Sequence, residues 1–287
     1  MSEKKKGLLA NTILYAAAFA VGLMPFVRTE NIFAANALFT ATATLVIFIV
    51  TCFYPDTSLY DPYWSVAPLF MLAISIIKYR LFGVNALLML VFTGIWATRL
   101  TLNWYVTYKG LGHEDWRYAH FRKTLNKYMF ALVNFVGLQF IPTIVVYAGL
   151  VGALYVLMAE TFTVLSLIGY AVMLLGVWLE YMADTSIHKF LKTGSGKTCD
   201  ISVWKYSRHP NYLGEMTFWT GIFIVFAFTC PDISVRGFGF ILIILLFLCV
   251  SVPMMEKHNL ERRPDYRQYI DKTPMLLPVG KKLWKRV

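Results

Sequence analysis

The chain has 287 residues, 58% hydrophobic and only 15% charged, with a net charge of +11. Ordinary soluble domains carry about a quarter charged residues, so water is not the main solvent of this protein. Its cations lie in short stretches between apolar runs too long for a soluble core, which excludes a nucleic-acid-binding domain and assigns the charge to membrane topology and an anionic cofactor.

Three lysines, Lys4 to Lys6, precede the first apolar run, which is about 20 residues long and has no small-residue cleavage site, so it is expected to be a retained span rather than a signal peptide. Runs able to cross about 30 Å of hydrocarbon then recur at 8–27, 33–54, 64–78, 81–106, 129–157, 162–183, 215–230 and 237–255. The pattern predicts an all-α, polytopic bundle of about eight transmembrane helices. The fifth run is expected to be one helix, tilted or kinked at Pro142.

Cytoplasmic flanks retain Lys and Arg. The basic stretches are the N-terminus, 107–127, 184–213 and the tail from Lys257, and eight spans with the N-terminus inside place all four on the cytoplasmic side. The connections at 28–32, 158–161 and 231–236 are short and nearly charge-balanced, while the basic connection Lys78 to Arg80 runs against the pattern. No repeat or linker divides the chain, so residues 1–287 read as a single membrane domain with its non-membrane sequence on one face. Cys52, Cys199, Cys230 and Cys249 have no paired spacing, and the five histidines are scattered, so neither disulfides nor a metal site is expected.

The richest stretch is VWKYSRHPNYLGEMTFWTG, Val203 to Gly221. It gathers Arg208, His209, Asn211, Tyr212 and Glu215 where a polar loop enters the seventh span. Pro210 suits a first helical turn, where free backbone N–H groups can meet an anion. Glu215 lies at the start of an apolar span, where an ionisable group is costly unless it is paired or functional. Interfacial anchoring would account for the Tyr and Arg but not for the His and Asn. The GSGKT at 194–198 ends like a P-loop, but Leu191 stands where the first glycine is required, so nucleotide-triphosphate binding is not expected there. Nor is there a GxGxxG fingerprint, so a dinucleotide site would have to be built from helix ends and loops.

The RHPNY segment resembles one shared by steroid 5-alpha-reductases, sterol reductases and isoprenylcysteine carboxyl methyltransferases. YDPYWSVAP at 60–68, RLTLNWYVTYKGLGHEDWRYAHFR at 99–122 and MEKHNLERRPDYRQYIDKTPMLLP at 255–278 are similar to the bacterial-type branch of the steroid-reductase group, formerly a domain of unknown function. The resemblance runs from Tyr60 to the end, leaving about residues 1–58 without family signal. It implies NADPH as cofactor, contacted by Arg99, Asn103, Asp184, Asn211 and Glu215 and by Arg263, Tyr266 and Tyr269 of the tail, with Arg208, His209 and Tyr212 beside them. It also implies a carboxylate–phenol pair that polarises a ketone, and here the matching positions read Asp61 and Trp96. Indole cannot readily pass a proton, so Asp61, Tyr60, Tyr63 or Tyr105 would have to supply one. The candidate catalytic set is therefore Asp61, Tyr63 and Trp96. The expected activity is hydride transfer from NADPH to the double bond of a lipophilic enone, steroid- or isoprenoid-like, that enters from the bilayer. The expected setting is the bacterial inner membrane or the endoplasmic reticulum, among membrane lipids and with no obligate protein partner. The alternatives are an S-adenosylmethionine-dependent methyltransferase of a lipid or prenylated thiol, and a transporter or scaffold, although the broken, duplicated helices of transporters are missing.

Overall fold

A computed structural model describes residues 2–54, 56–230 and 237–277 of the chain. The protein is an all-α polytopic membrane bundle, with no strand among the described residues and eight helices long and apolar enough to cross a bilayer. The expected short connection at 231–236 and the tail's final proline, Pro278, lie outside the described residues. Contacts gather the chain into two compact units, Met1–Thr161 and Phe162–Val287.

In the first unit, α1 (Glu3–Arg28) and α2 (Ile32–Phe53) form a tight hairpin. The Asn31 side chain accepts the amides of Phe33 and Ala34, both at 3.0 Å, and so starts α2 directly after the turn. A side chain at Gly22 would stand 2.9 Å from the Phe39 ring, so the missing Cβ is what lets the two helices meet. A 3₁₀ turn (Thr57–Tyr60) leads into α3 (Tyr63–Tyr79), which closes on Arg80 in the left-handed region at φ 54°. The neighbouring Lys78, part of the basic connection that runs against the charge pattern, has partners in α1. Its Nζ donates to the carbonyls of Phe26, at 2.6 Å, and Thr29, the last turn of α1 and its cap. That cation serves the negative end of a helix.

After α4 (Val84–Thr107) and the short α5 (Trp116–Thr124) comes the fifth span, Lys127–Met158, which is one continuous helix as expected. It is not simply kinked at Pro142. An α-helical start, α6 (Lys127–Leu132), widens to a π-helical stretch (Val133–Phe140) before α7 (Ile141–Met158) resumes. The eighth span, Phe240–Arg262, repeats the device: α10 (Phe240–Leu246), a π stretch (Phe247–Ser251), then α11 (Val252–Arg262) with Pro253 in its first turn. A proline has no N–H to give and its ring crowds the carbonyl four residues back. The wider register just before each proline relieves both problems.

The second unit is centred on α8 (Ser166–Leu191) and α9 (Pro210–Thr229), which run antiparallel with glycines at the crossing. A Cβ on Gly176 would lie 2.6 Å from the Gly214 carbonyl and from the Phe218 nitrogen, and one on Gly169 would lie 2.5 Å from the Val225 nitrogen. Backbone therefore meets backbone. Two boundaries differ from the sequence expectation: α8 continues through 184–191, assigned above to a loop, and the seventh span begins at Pro210 rather than at 215. Asp184 and Asn211 are thus helical residues. The tail ends in α12 (Tyr266–Lys272).

Candidate functional site

Among the described residues, each unit carries a dense polar cluster near the segments singled out in the sequence. In the first, the 3₁₀ turn and the start of α3 form a corner that the segment after α4 clasps. Asp56 accepts the amides of Ser58, at 3.1 Å, and Gly112, at 3.0 Å. Glu114 accepts the Thr57 amide at 3.0 Å and pairs with Arg122 at 2.6 Å, while the Asp115 amide donates to the Ser58 hydroxyl at 2.9 Å. Burial alone would raise the Glu114 carboxyl, but Arg122 and the Thr57 amide outweigh it and hold Glu114 below the usual carboxylate range. This stretch of the 107–127 segment is therefore a set of clamps.

Within the corner, Tyr60 donates or accepts at Thr143 (2.8 Å), Thr143 meets Thr44 (2.9 Å), and Tyr63 meets Thr40 (2.9 Å). The Tyr60 and Tyr63 rings stand 5.4 Å apart, and Tyr15 donates to the Leu59 carbonyl at 2.9 Å. Of the catalytic candidates, Tyr63 has its hydroxyl engaged by Thr40, and Trp96 is wholly buried in α4. Asp61 is half-buried and receives a hydrogen bond from Tyr118 of α5, a residue the sequence reading did not name. Nothing local could have flagged it, since the partners are 57 positions apart. Arg99 and Asn103 sit half-buried one turn apart near the end of α4.

In the second unit, the RHPNY segment is anchored by Arg208, which is 1% exposed. Its Nε donates to Glu256 at 2.7 Å and its Nη1 to the carbonyls of Thr273 at 2.8 Å and Ile270 at 3.2 Å. His209 meets the same Glu256 oxygen at 3.2 Å and stacks on Tyr212 with ring centroids 5.4 Å apart. Burial pulls His209 below the ordinary histidine value, against the opposing pull of Glu256. Tyr269 donates to the Trp204 carbonyl and also lies 3.2 Å from the Ser207 carbonyl. Asp265 takes both the amide and the hydroxyl of Thr198 at 2.8 Å, and Arg263 donates to the Lys197 carbonyl at 2.9 Å. The GSGKT loop is thus fastened to the tail. Arg208, His209 and Tyr212 come together, Tyr269 binds the backbone just before them, Arg263 binds the preceding loop at Lys197, and Arg208 is a buried link between loop, eighth span and tail.

This link sets the head of α9. Asn211 and Glu215 occupy its first two turns, and Glu215, 5% exposed, accepts the Trp219 indole N–H at 3.1 Å. Facing them on α8 is Glu180, 1% exposed, whose Cγ would stand 2.6 Å from a Cβ on Gly214. The antiparallel register brings Asp184, one turn further along α8, level with Asn211. Glu180 was legible as an ionisable residue inside an apolar span, and the sequence reading passed over it. The resulting face offers three carboxylates and a carboxamide, and the loop that follows α8 carries Lys197, whose carbonyl Arg263 of the tail binds. These donors and acceptors suit the ribose, amide and phosphate groups of a dinucleotide.

Fold and clusters together define a polytopic helical membrane protein with polar sites built at helix ends. A family model described as "Protein of unknown function (DUF1295)" matches residues 47–273, and the chain belongs to that family. The chain is also 22% identical over 287 aligned positions to "Uncharacterized protein C594.04c" of Schizosaccharomyces pombe (strain 972 / ATCC 24843), a match covering 88% of this chain and 81% of that protein. No solved structure matches the chain significantly.

Proposed function

We propose that this protein is a membrane-embedded, NADPH-dependent reductase that reduces the double bond of a lipophilic enone. The observation that carries the reading is the face of Glu180, Asp184, Asn211 and Glu215 on a glycine-tight helix pair, held in place by the buried Arg208–Glu256 link. Carboxylates placed within an apolar bundle are expensive and mark function by default. The resemblance of the Tyr60–Pro68, Arg99–Arg122 and tail segments to steroid reductases supports the same reading.

Bound NADPH supplies the hydride. Asn211 and Glu215 would hold its nicotinamide end, Asp184 and Glu180 its sugar hydroxyls, and Arg263, Lys192 and Lys197 its phosphates. Tyr212, Tyr266 and Tyr269 offer aromatic faces for rings. By the same resemblance the Asp61 and Trp96 region would supply the donor for the negative charge that develops on the carbonyl oxygen, a contribution on the order of 3 kcal/mol for one preorganised donor. The substrate reaches the protein laterally from the bilayer, while the N-terminus, the tail and the cofactor site face the cytoplasm, as the distribution of Lys and Arg supports.

Mass spectrometry of small molecules that co-purify in mild detergent is expected to find NADP(H). Asn211→Ala and Glu215→Gln are expected to lower NADPH-dependent turnover of enones at least tenfold, about 1.4 kcal/mol, at unchanged folding. Recovery of S-adenosylmethionine instead, with methyl transfer to a prenylated thiol, would replace the reading with the methyltransferase one. That alternative is favoured by the RHPNY segment and the acidic and aromatic tail, both of which resemble those of such enzymes.

A further inference from the structure

Among the described residues, Asn11 of α1 is the one whose whole carboxamide is buried without a hydrogen bond: the residue is 5% exposed, and neither its nitrogen nor its oxygen meets a partner. It lies outside residues 47–273, the region that the family model matches. Its neighbours on the same helix face show what it looks onto. One turn later, Tyr15 donates to the Leu59 carbonyl at 2.9 Å, so this face meets the 3₁₀ corner. One turn earlier, a Cβ on Gly7 would run into the Tyr108 hydroxyl, so the missing side chain makes room for that phenol, which follows α4 directly. Helical side chains lean towards the N-terminus, which carries the Asn11 carboxamide over the Gly7 turn and towards the phenol. The Tyr108 hydroxyl is itself buried without a partner. Buried polar groups in folded proteins are nearly always satisfied, and hydrocarbon satisfies none of them, so a carboxamide and a phenol that converge in this way mark a place for a ligand's polar atoms.

We propose that the seam between α1 and the end of α4 binds a neutral glycerolipid by its headgroup, a free hydroxyl donating to the Asn11 carboxamide oxygen and accepting from the Tyr108 phenol. A second headgroup oxygen takes the Asn11 N–H. Three features set this chemistry. A carboxamide is donor and acceptor at once, and so is a hydroxyl. Burial pushes the Tyr108 phenol up to about 12, with the Asp56 charge adding to the effect, so the phenol donates at neutral pH and an anionic headgroup there would be repelled. The seam also borders lipid. Lys4 closes its polar end, its ammonium donating to the Tyr105 carbonyl at 2.7 Å and lying over the Tyr105 ring at 4.5 Å. Leu102 and Val106, on the same face of α4 as Tyr105, are 58% and 65% exposed and offer a bed for an acyl chain. Asn11 lies one turn inside the apolar run that begins at residue 8, close to headgroup level. A water molecule would meet the polar groups but gains nothing from the apolar flank, which favours a lipid.

The test uses delipidated full-length protein in detergent and reads the thermal midpoint against monoolein, oleate and methyl oleate, which share one acyl chain and differ in the headgroup. Monoolein is expected to raise the parent's midpoint by several degrees, oleate to raise it less and methyl oleate to leave it unchanged. Asn11→Leu puts an apolar group of similar size in place of the unpartnered carboxamide. Its lipid-free midpoint is expected to equal or exceed the parent's, while the monoolein response disappears. Tyr108→Phe removes one hydrogen bond and is expected to weaken monoolein binding about fivefold, which keeps the test decisive if the Asn11 variant does not fold. Equal shifts from monoolein and methyl oleate, a larger shift from oleate, or an undiminished monoolein response in both variants would overturn the proposal. A parent that does not respond to monoolein overturns it as well, and a lowered lipid-free midpoint in Asn11→Leu would then assign the carboxamide to an internal water.

Discussion

The glycine crossing of α8 and α9 gives a prediction whose sign can be worked from distances. In an ordinary helix, Gly→Ala stabilises by about 1 kcal/mol through reduced backbone entropy in the unfolded chain. At Gly176 the new methyl would sit 2.6 Å from the Gly214 carbonyl oxygen and 2.6 Å from the Phe218 nitrogen, and both are backbone atoms that no rotamer change can move. The helices would have to part by several tenths of an ångström. A gap of 0.5–1 Å forfeits roughly a quarter to a half of each dispersion contact along the seam. Overpacking of this kind costs about 1–3 kcal/mol, which outweighs the propensity gain. Gly176→Ala is therefore expected to lower the thermal midpoint in detergent. Gly94→Ala serves as the control, because its methyl meets only the Leu69 side chain, at an ordinary 3.6 Å, and it is expected to be neutral or stabilising. Equal or higher stability for Gly176→Ala would show that the two helices do not meet backbone to backbone.

Three further outcomes are expected. Arg208→Ala leaves Glu256 buried without its fixed cation, with only His209 beside it, and should cost about 3–5 kcal/mol, detected as protease sensitivity of the tail at temperatures where the parent resists. Burial holds His209 below its ordinary value of 6.5, so its neutral form favours folding; stability is complete above that pH and declines as pH falls below it. Thermal midpoints measured between about pH 7 and pH 5 should show this decline in the parent and a smaller one in His209→Gln, and an identical slope would remove His209 as the cause. Cys199 is a natural reporter of topology by its loop position, yet at 2% exposure it is shielded from either side. Ser195→Cys, on the exposed part of the same loop, should resist an impermeant thiol reagent in intact cells and react after permeabilisation, and labelling in intact cells would reverse the assigned orientation.

The number of spans and their approximate limits were legible in the sequence because solvation by lipid is a sum over consecutive residues: a run of about 20 apolar side chains crosses a bilayer whatever it later packs against. The RHPNY cluster and Asp61 stood out for the related reason that polar groups at the edge of such runs are costly. Their partners did not stand out. Glu256 for Arg208, Tyr118 for Asp61 and Thr143 for Tyr60 lie 48, 57 and 83 positions away, and no local pattern carries such pairings. The same holds for Lys78, which reads as a loop cation until α1 ends beside it, and for Gly176 and Gly214, which read as unremarkable small residues until two backbones approach. The sequence determined which segments enter the membrane and which residue types accompany them. The tertiary structure alone decided which of those residues meet, because hydrogen bonds and close packing depend on positions within a few ångströms that only the packed helices define.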